Sequence, residues 1–287
     1  MMNEMLSYLP KGFSIFGLEI AFYAIIILFG ALMALFLSSF EARKEGYSWD
    51  FFVTVFIIAF PSGIIGARLW YVIAEWQKEF GWDNFAQIFR IWDGGLAIQG
   101  GAILGITAGV LVVVFLRRGM NPLQAVDFAV PNILVAQVIG RWGNFFNHEV
   151  YGMVVDRSSW SFLPDFILNQ MVDNLNNPEF IDVPLFLVEG ILNLIGFLTI
   201  VHFIFPLCKK HNAYCVGDGL GYYLILYGAV RSILEPMRNP TYIMGTEVGA
   251  SFVMAILFIV CGIVLIVTNH VITNFRTKNY RKKGSLK

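Results

Sequence analysis

LAIQGGAILGITAGVLVVVFL, residues 96–116, decides the fold. It runs 21 residues without a charge and is followed at once by Arg117 and Arg118. A helix needs about 20 apolar residues to cross a bilayer. Within the run, Gly101, Gly105 and Gly109 recur every fourth residue, which makes a close-packing face for a neighbouring helix. Similar runs recur along the chain, near Gly17–Phe40, Phe51–Ile73, Leu123–Ile139, Pro184–Phe205, Gly219–Leu234 and Gly249–Thr268. The run at 123–139 is the most polar, with Asp127, Pro131, Asn132 and Gln137, as expected of a span that faces a bundle interior or a cavity.

Composition agrees. Of 287 residues, 57% are hydrophobic and 14% charged, against about 25% charged in a soluble domain. The predicted fold class is therefore all-α: a polytopic membrane bundle of about seven transmembrane helices, forming a single integral membrane domain over residues 1–287. No small-residue cleavage site follows the first apolar run, so it is expected to remain as the first helix. Cys208, Cys215 and Cys261 lack metal-ligand spacing and are read as structural, without a disulfide.

The net charge of +0 is uninformative, but its distribution is not. Arg43 and Lys44, Arg117 and Arg118, Lys209 and Lys210, and the basic tail at 269–287 occupy alternate connections. By the positive-inside rule these face the cytoplasm, which puts the N-terminus outside and the C-terminus inside. Connections 74–95, 140–183 and 235–248 are then outside. The first is rich in Trp and Phe, as an interfacial belt would be. Segment 140–183 becomes a small outer-face loop or cap.

Three constellations stand near that face. The first is Gly140-Arg141-Trp142-Gly143-Asn144-Phe145-Phe146-Asn147-His148-Glu149-Val150-Tyr151-Gly152. Arg141 offers a planar fork suited to phosphate, Asn144 and Asn147 offer amides, and Glu149 can hold an arginine or accept a proton. A polar turn capped by asparagines is the plainer alternative. In the second, Arg231, Glu235 and Arg238 share one helical face at offsets of four and seven, with Pro236 ending or kinking the helix there. An ion pair that only fixes packing explains Arg231 and Glu235 equally well. The third joins Asp93, Gln99 and Gly100 within Asp93–Gly101, with Arg68 facing the same cavity or pairing with Asp93. Arginines with amides, and no metal cluster or hydrolytic triad, suit one lipid phosphate, or a phosphate gaining charge as it leaves.

The run from Gly140 to Gly152 resembles the signature of the prolipoprotein diacylglyceryl transferases. The segments Asp93–Gly101 and Arg231–Arg238 resemble further blocks of that family, in the same order, and Tyr23 resembles its functional tyrosine early in span one. The resemblance covers essentially the whole chain. It implies a bacterial cytoplasmic (inner) membrane enzyme with its active site toward the outer face. Such an enzyme moves a diacylglyceryl group from phosphatidylglycerol to the thiol of a lipobox cysteine in a prolipoprotein signal peptide, releasing glycerol phosphate. It also implies catalytic roles for Arg141, Arg231 and Glu235. Substrate binding falls to Tyr23, Arg68, Asp93, Gln99, Gly100, Asn144, Asn147, Glu149, Gly152 and Arg238. No cofactor, metal or nucleic acid is expected; the partners are phosphatidylglycerol, the prolipoprotein and membrane lipid. Two departures matter. Gln99 stands where many members have histidine, and glutamine is no general base. Before span five, Val183-Pro184-Leu185-Phe186-Leu187-Val188-Glu189 keeps only the proline and Glu189 of the family's usual run. These departures leave open a lipid- or lipoprotein-binding homologue without activity. A transporter would need a polar path through the bundle and broken helices in pairs, and the sequence offers neither.

Overall fold

The structure, a computed structural model, describes residues 8–80, 82–91, 94–116, 120–239 and 249–284. Asp93, Arg117, Arg118 and the loop 240–248 lie outside the described residues, as do the side chains of the basic tail from 276 onward. The chain divides into two compact units, one formed by 1–34 with 129–287 and the other by 35–128. Most of the chain is helical.

In the first unit the chain enters through a hairpin, β1 (Gly12–Ile15) paired antiparallel with β2 (Leu18–Ala21). Phe16 and Gly17 turn it with φ of 50° and 80°, the paired left-handed residues that a two-residue hairpin requires. This corrects the start of the first span: Gly17 belongs to the turn, residues 18–21 are strand, and helix α1 (Phe22–Lys44) begins after them. Arg43 and Lys44 occupy its last turn, where the helix dipole favours cations.

Helix α2 (Asp50–Ala74) and helix α3 (Ile98–Leu116) dominate the second unit. Their contact is glycine on glycine. A Cβ built on Gly101 would sit 3.2 Å from the Gly63 carbonyl, and one on Gly105 3.3 Å from Gly63 Cα. At Gly66 and Gly100 a Cβ would collide with the facing backbone outright. Small residues let two membrane helices approach to backbone contact, which supplies van der Waals attraction where lipid removes the hydrophobic drive. The expected packing face is borne out, and Gly100 belongs to it.

Helix α4 (Pro122–Asn147) is longer than expected. Residues 140–147, placed by sequence in the following loop, are its last two turns. Gly140 and Gly143 suggested a turn, but each lies against a side chain: a Cβ on Gly140 would stand 3.2 Å from Ile27, and one on Gly143 2.8 Å from the Tyr23 ring. These glycines make room for α1 within the helix. The chain breaks only after Asn147, at His148 and Val150, whose φ values are 57° and 60°.

A small folded cap follows. Strands β3 (Val154–Asp156), β4 (Val172–Asn174) and β5 (Asn177–Asp182) form an antiparallel sheet in the order β3-β5-β4, with helix α5 (Asp165–Gln170) between the first two. Its core joins Phe145, Tyr151, Ile167, Leu168, Met171, Val172, Ile181 and Phe186. Helix α6 (Leu185–Leu198), a π-helical stretch Thr199–Ile204 and helix α7 (Phe205–Lys210) then make one apolar stretch of 26 residues. The widened turns lead into Pro206, which cannot donate to the preceding turn.

Helix α8 (Asp218–Leu234) packs on helix α9 (Gly249–Gly284), again through glycine: a Cβ on Gly262 would stand 2.6 Å from the Gly221 carbonyl. Among the described residues, six helical stretches are long and apolar enough to cross a membrane: 22–44, 50–74, 98–115, 122–147, 185–210 and 251–275. The seventh expected span is helical too, as α8, but has 17 residues.

Candidate functional site

The last turns of α4, the first turns of α6 and the end of α8 bring the charged residues of the first unit together. Arg141, half-buried on α4, donates from Nη1 to Asn144 Oδ1 at 3.3 Å and from Nη2 to Glu189 Oε1 on α6. Glu189 is buried. Asn144 passes the chain on, donating from Nδ2 to Glu149 Oε1 at 3.2 Å. The result is a row of Glu189, Arg141, Asn144 and Glu149, with one carboxyl group held by the arginine and the other by the asparagine amide.

Helix α8 ends at Leu234 and Glu235–Met237 form a 3-10 turn, so Arg238 lies past the helix and not on one helical face with Arg231 and Glu235 as expected. Arg231 Nη2 lies 3.5 Å from Glu235 Oε2, and Arg238 Nε lies 3.9 Å from the same oxygen. Glu235 is only 1% exposed, and among the described residues neither of its oxygens has hydrogen-bond geometry to a donor. A buried carboxylate without close hydrogen bonds depends on the surrounding positive field. Arg238 feels both clusters: burial lowers its pKa, Arg231 lowers it further, and Glu235, Glu189 and Arg141 also act on it. The guanidinium stays charged, so the lowering marks a place where an added anion is welcome.

Backbone fixes these groups to the cap. Gly152 donates to the Val183 carbonyl, Met153 to the Met237 carbonyl and Asn239 to the Tyr151 carbonyl, at 3.0, 2.9 and 3.1 Å. Gly152 faces Arg238 across an isolated β-bridge. A Cβ on Gly152 would lie 2.6 Å from Val183 Cβ and 2.9 Å from the Met237 carbonyl, so this crossing admits no side chain. The left-handed backbone of His148 and Val150 just before it is strain of the kind found at functional sites. His148 is wedged between the rings of Tyr8 and Tyr151 as a packing residue, and burial lowers its pKa. Asn147 is half-buried nearby, and Tyr23 lies against Gly143 within electrostatic reach of Glu149 and Arg141.

In the second unit, Arg68 is buried and donates to four carbonyls: Ile88, Gly94, Gly95 and Gln87, at 2.9, 2.8, 3.0 and 2.6 Å. These bonds tie the 3-10 segment Trp82–Phe89 and the Gly94-Gly95 turn onto α2. Gln99 is exposed at the start of α3. Of the residues expected at the site, Tyr23, Arg141, Asn144, Asn147, Glu149, Gly152, Arg231, Glu235 and Arg238 belong to the first unit. Arg68, Gln99 and Gly100 belong to the second.

Sequence reasoning noted Glu189 but gave it no role; a buried acid in a span needs a partner, and that signal was available. It missed Asp182 and Asn193. Asp182 is buried at the end of β5 beside Asp173, and its pKa is raised to about 6, first by burial, then by Asp173, against a hydrogen bond from Asn239.

A multi-pass membrane protein with a buried cluster of arginines and carboxylates beneath a small cap is the class these features define. A family profile described as prolipoprotein diacylglyceryl transferase matches residues 10–268. The phosphatidylglycerol–prolipoprotein diacylglyceryl transferase of Streptococcus equi subsp. equi (strain 4047) is 39% identical over 265 residues, covering 91% of this chain and 95% of that relative. The enzyme of the same name from Streptococcus equi subsp. zooepidemicus (strain MGCS10565) is 40% identical over the same shares. That of Streptococcus pyogenes serotype M1 is 38% identical over 254 residues, covering 87% and 91%. The chain belongs to the prolipoprotein diacylglyceryl transferase family, and is a transferase.

Proposed function

We propose that this chain transfers the diacylglyceryl group of phosphatidylglycerol to the lipobox cysteine of a prolipoprotein, at the outer face of a bacterial cytoplasmic membrane. The observation that carries the reading is the shared field of Arg141, Arg231 and Arg238, each steadied by a buried carboxylate. Such a preorganised set stabilises charge that grows on phosphate oxygens during bond breaking. The incoming thiolate bonds to the glycerol carbon next to the phosphate. The carbon–oxygen bond breaks, its electron pair stays on the phosphate oxygen, and glycerol phosphate leaves. Arg141 and Arg231 hold that phosphate, with Arg238 in support, while Asn144, Asn147 and Gly152 shape the head-group site.

The thiol proton needs an acceptor. Glu189 and Glu235 are engaged with arginines, whereas Glu149 is bonded to a neutral amide. Glu149 is therefore the proposed base, and it does the work that Gln99 cannot. Arg68 acts at a distance by fixing the Gly94-Gly95 turn. The lysines and arginines ending α1 and α7 support the cytoplasmic placement of those ends.

The test supplies purified protein with phosphatidylglycerol and a lipobox peptide and looks for the thioether by mass. Protein that retains the lipid yet forms no thioether overturns the transferase reading and leaves a lipid-binding homologue.

A further inference from the structure

Asn193 on α6 is 1% exposed, and neither its oxygen nor its nitrogen has a hydrogen-bond partner among the described residues. An orphaned amide in a membrane helix is unusual, because lipid offers no substitute for water. Its position is specific. Glu189, Gly190, Asn193 and Gly196 form one stripe on α6. Glu189 meets Arg141, a Cβ built on Gly190 would stand 4.0 Å from the Val138 carbonyl, and Gly196 lies against Leu226. Asn193 is thus turned toward α4 and α8, the helices that carry the arginines, four residues beyond Glu189.

Four residues are about 6 Å along a helix. On α4 the residue one turn deeper than Arg141 is Gln137. It donates from Nε2 to the Tyr223 hydroxyl on α8 at 2.9 Å, and its own oxygen is buried without a partner among the described residues. An amide level therefore lies one turn below the guanidinium level, on two neighbouring helices. The interfacial layer of a leaflet, from the hydrocarbon edge outward, is about 5–7 Å thick. A glycerophospholipid whose phosphate sits among the arginines puts its ester carbonyls at the inner edge of that layer. We infer that Asn193 is a specificity-determining residue that donates its side-chain N–H to an ester carbonyl of the lipid substrate, making the site selective for acyl esters over alkyl ethers. The inference rests on the proposed lipid phosphate site, since that site sets the depth.

The test compares diester with diether phosphatidylglycerol of equal chain length, using the purified full chain and a lipobox peptide. Wild type is expected to show a roughly tenfold lower KM for the diester, the size of one neutral hydrogen bond. Asn193→Leu raises the diester KM to the diether value, and leaves kcat and the diether KM as in wild type. The diether arm doubles as a check that the variant is folded. Without lipid, Asn193→Leu melts at or above the wild-type temperature, because it replaces an unpaired buried amide with an apolar group of similar size. An unchanged diester-to-diether KM ratio, or a variant that melts lower without lipid, overturns the proposal and makes Asn193 an internal packing residue. If wild type forms no thioether from either lipid, the transferase reading falls alone. Preferential retention of diester lipid by wild type, lost in Asn193→Leu and measured by native mass spectrometry, still decides the subsite.

Discussion

Arg141 shows how much one contact changes the meaning of a residue. Alone, it is a buried cation that costs about 2.5–3.5 kcal/mol at membrane depth. Joined to Glu189 and Asn144, it becomes a fork with a fixed direction. Arg141→Ala is expected to lower thioether formation by at least about 100-fold, the loss seen when one transition-state donor is removed. Glu189→Gln keeps Arg141 but releases it, so kcat falls while lipid retention persists. Gln99→Ala leaves measurable turnover; complete loss would give the glutamine an orienting role.

Asp182 titrates in a pH range that this face of the protein can meet. Its folded pKa is about 6, raised mainly by burial, against 3.8 for a free carboxyl. A raised pKa means the folded state binds the proton more tightly. The resulting stability is fully present below about pH 4, is lost as pH rises through 6, and is absent above. Melting in detergent between pH 4 and 7 is expected to show this decline, of about 2 kcal/mol, and Asp182→Asn to flatten it.

At the scale of elements, glycine carries two opposite meanings. In Phe16-Gly17 it turns the chain; at Gly63, Gly66, Gly100, Gly143 and Gly152 it admits a neighbour. Composition cannot separate these uses, which is why residues 140–147 read as a turn and fold as helix. Gly101→Val is expected to push α2 from α3 at a cost of about 1–3 kcal/mol, seen as a lower melting temperature. Arg68→Ala acts on a different joint: it strands the carbonyls of Gln87, Ile88, Gly94 and Gly95. These bonds are part-buried, so water replaces some of what is lost. The segment is no longer tied to α2, however, and protease cleavage between 82 and 95 should accelerate in the variant. Unchanged cleavage would remove the bracing role of Arg68.

For the whole molecule, the positive loops make a topological prediction. A thiol-specific, membrane-impermeant reagent applied to intact cells should label Ser14→Cys and not a cysteine added after Lys287. The reverse pattern would invert the orientation and move the site to the cytoplasmic side. Much of the molecule was legible before any coordinates. Membrane helices must satisfy their own backbone and match the bilayer, so apolar runs alone marked a helix at each of the seven places expected, six of them long and apolar enough to cross among the described residues. The signature run supplied Arg141, Asn144, Asn147, Glu149 and Gly152, and the Arg231–Arg238 segment the other arginines of the first unit's cluster, because charge at the end of a span is expensive and stands out. Tertiary structure alone decided which acid holds which arginine, that Gly100 packs while Gly152 clears a crossing, that Arg68 braces a loop, and that Asn193 is buried without a partner among the described residues. Those facts depend on which faces of separate helices meet, and residues 48 apart, such as Arg141 and Glu189, have no local periodicity that pairs them.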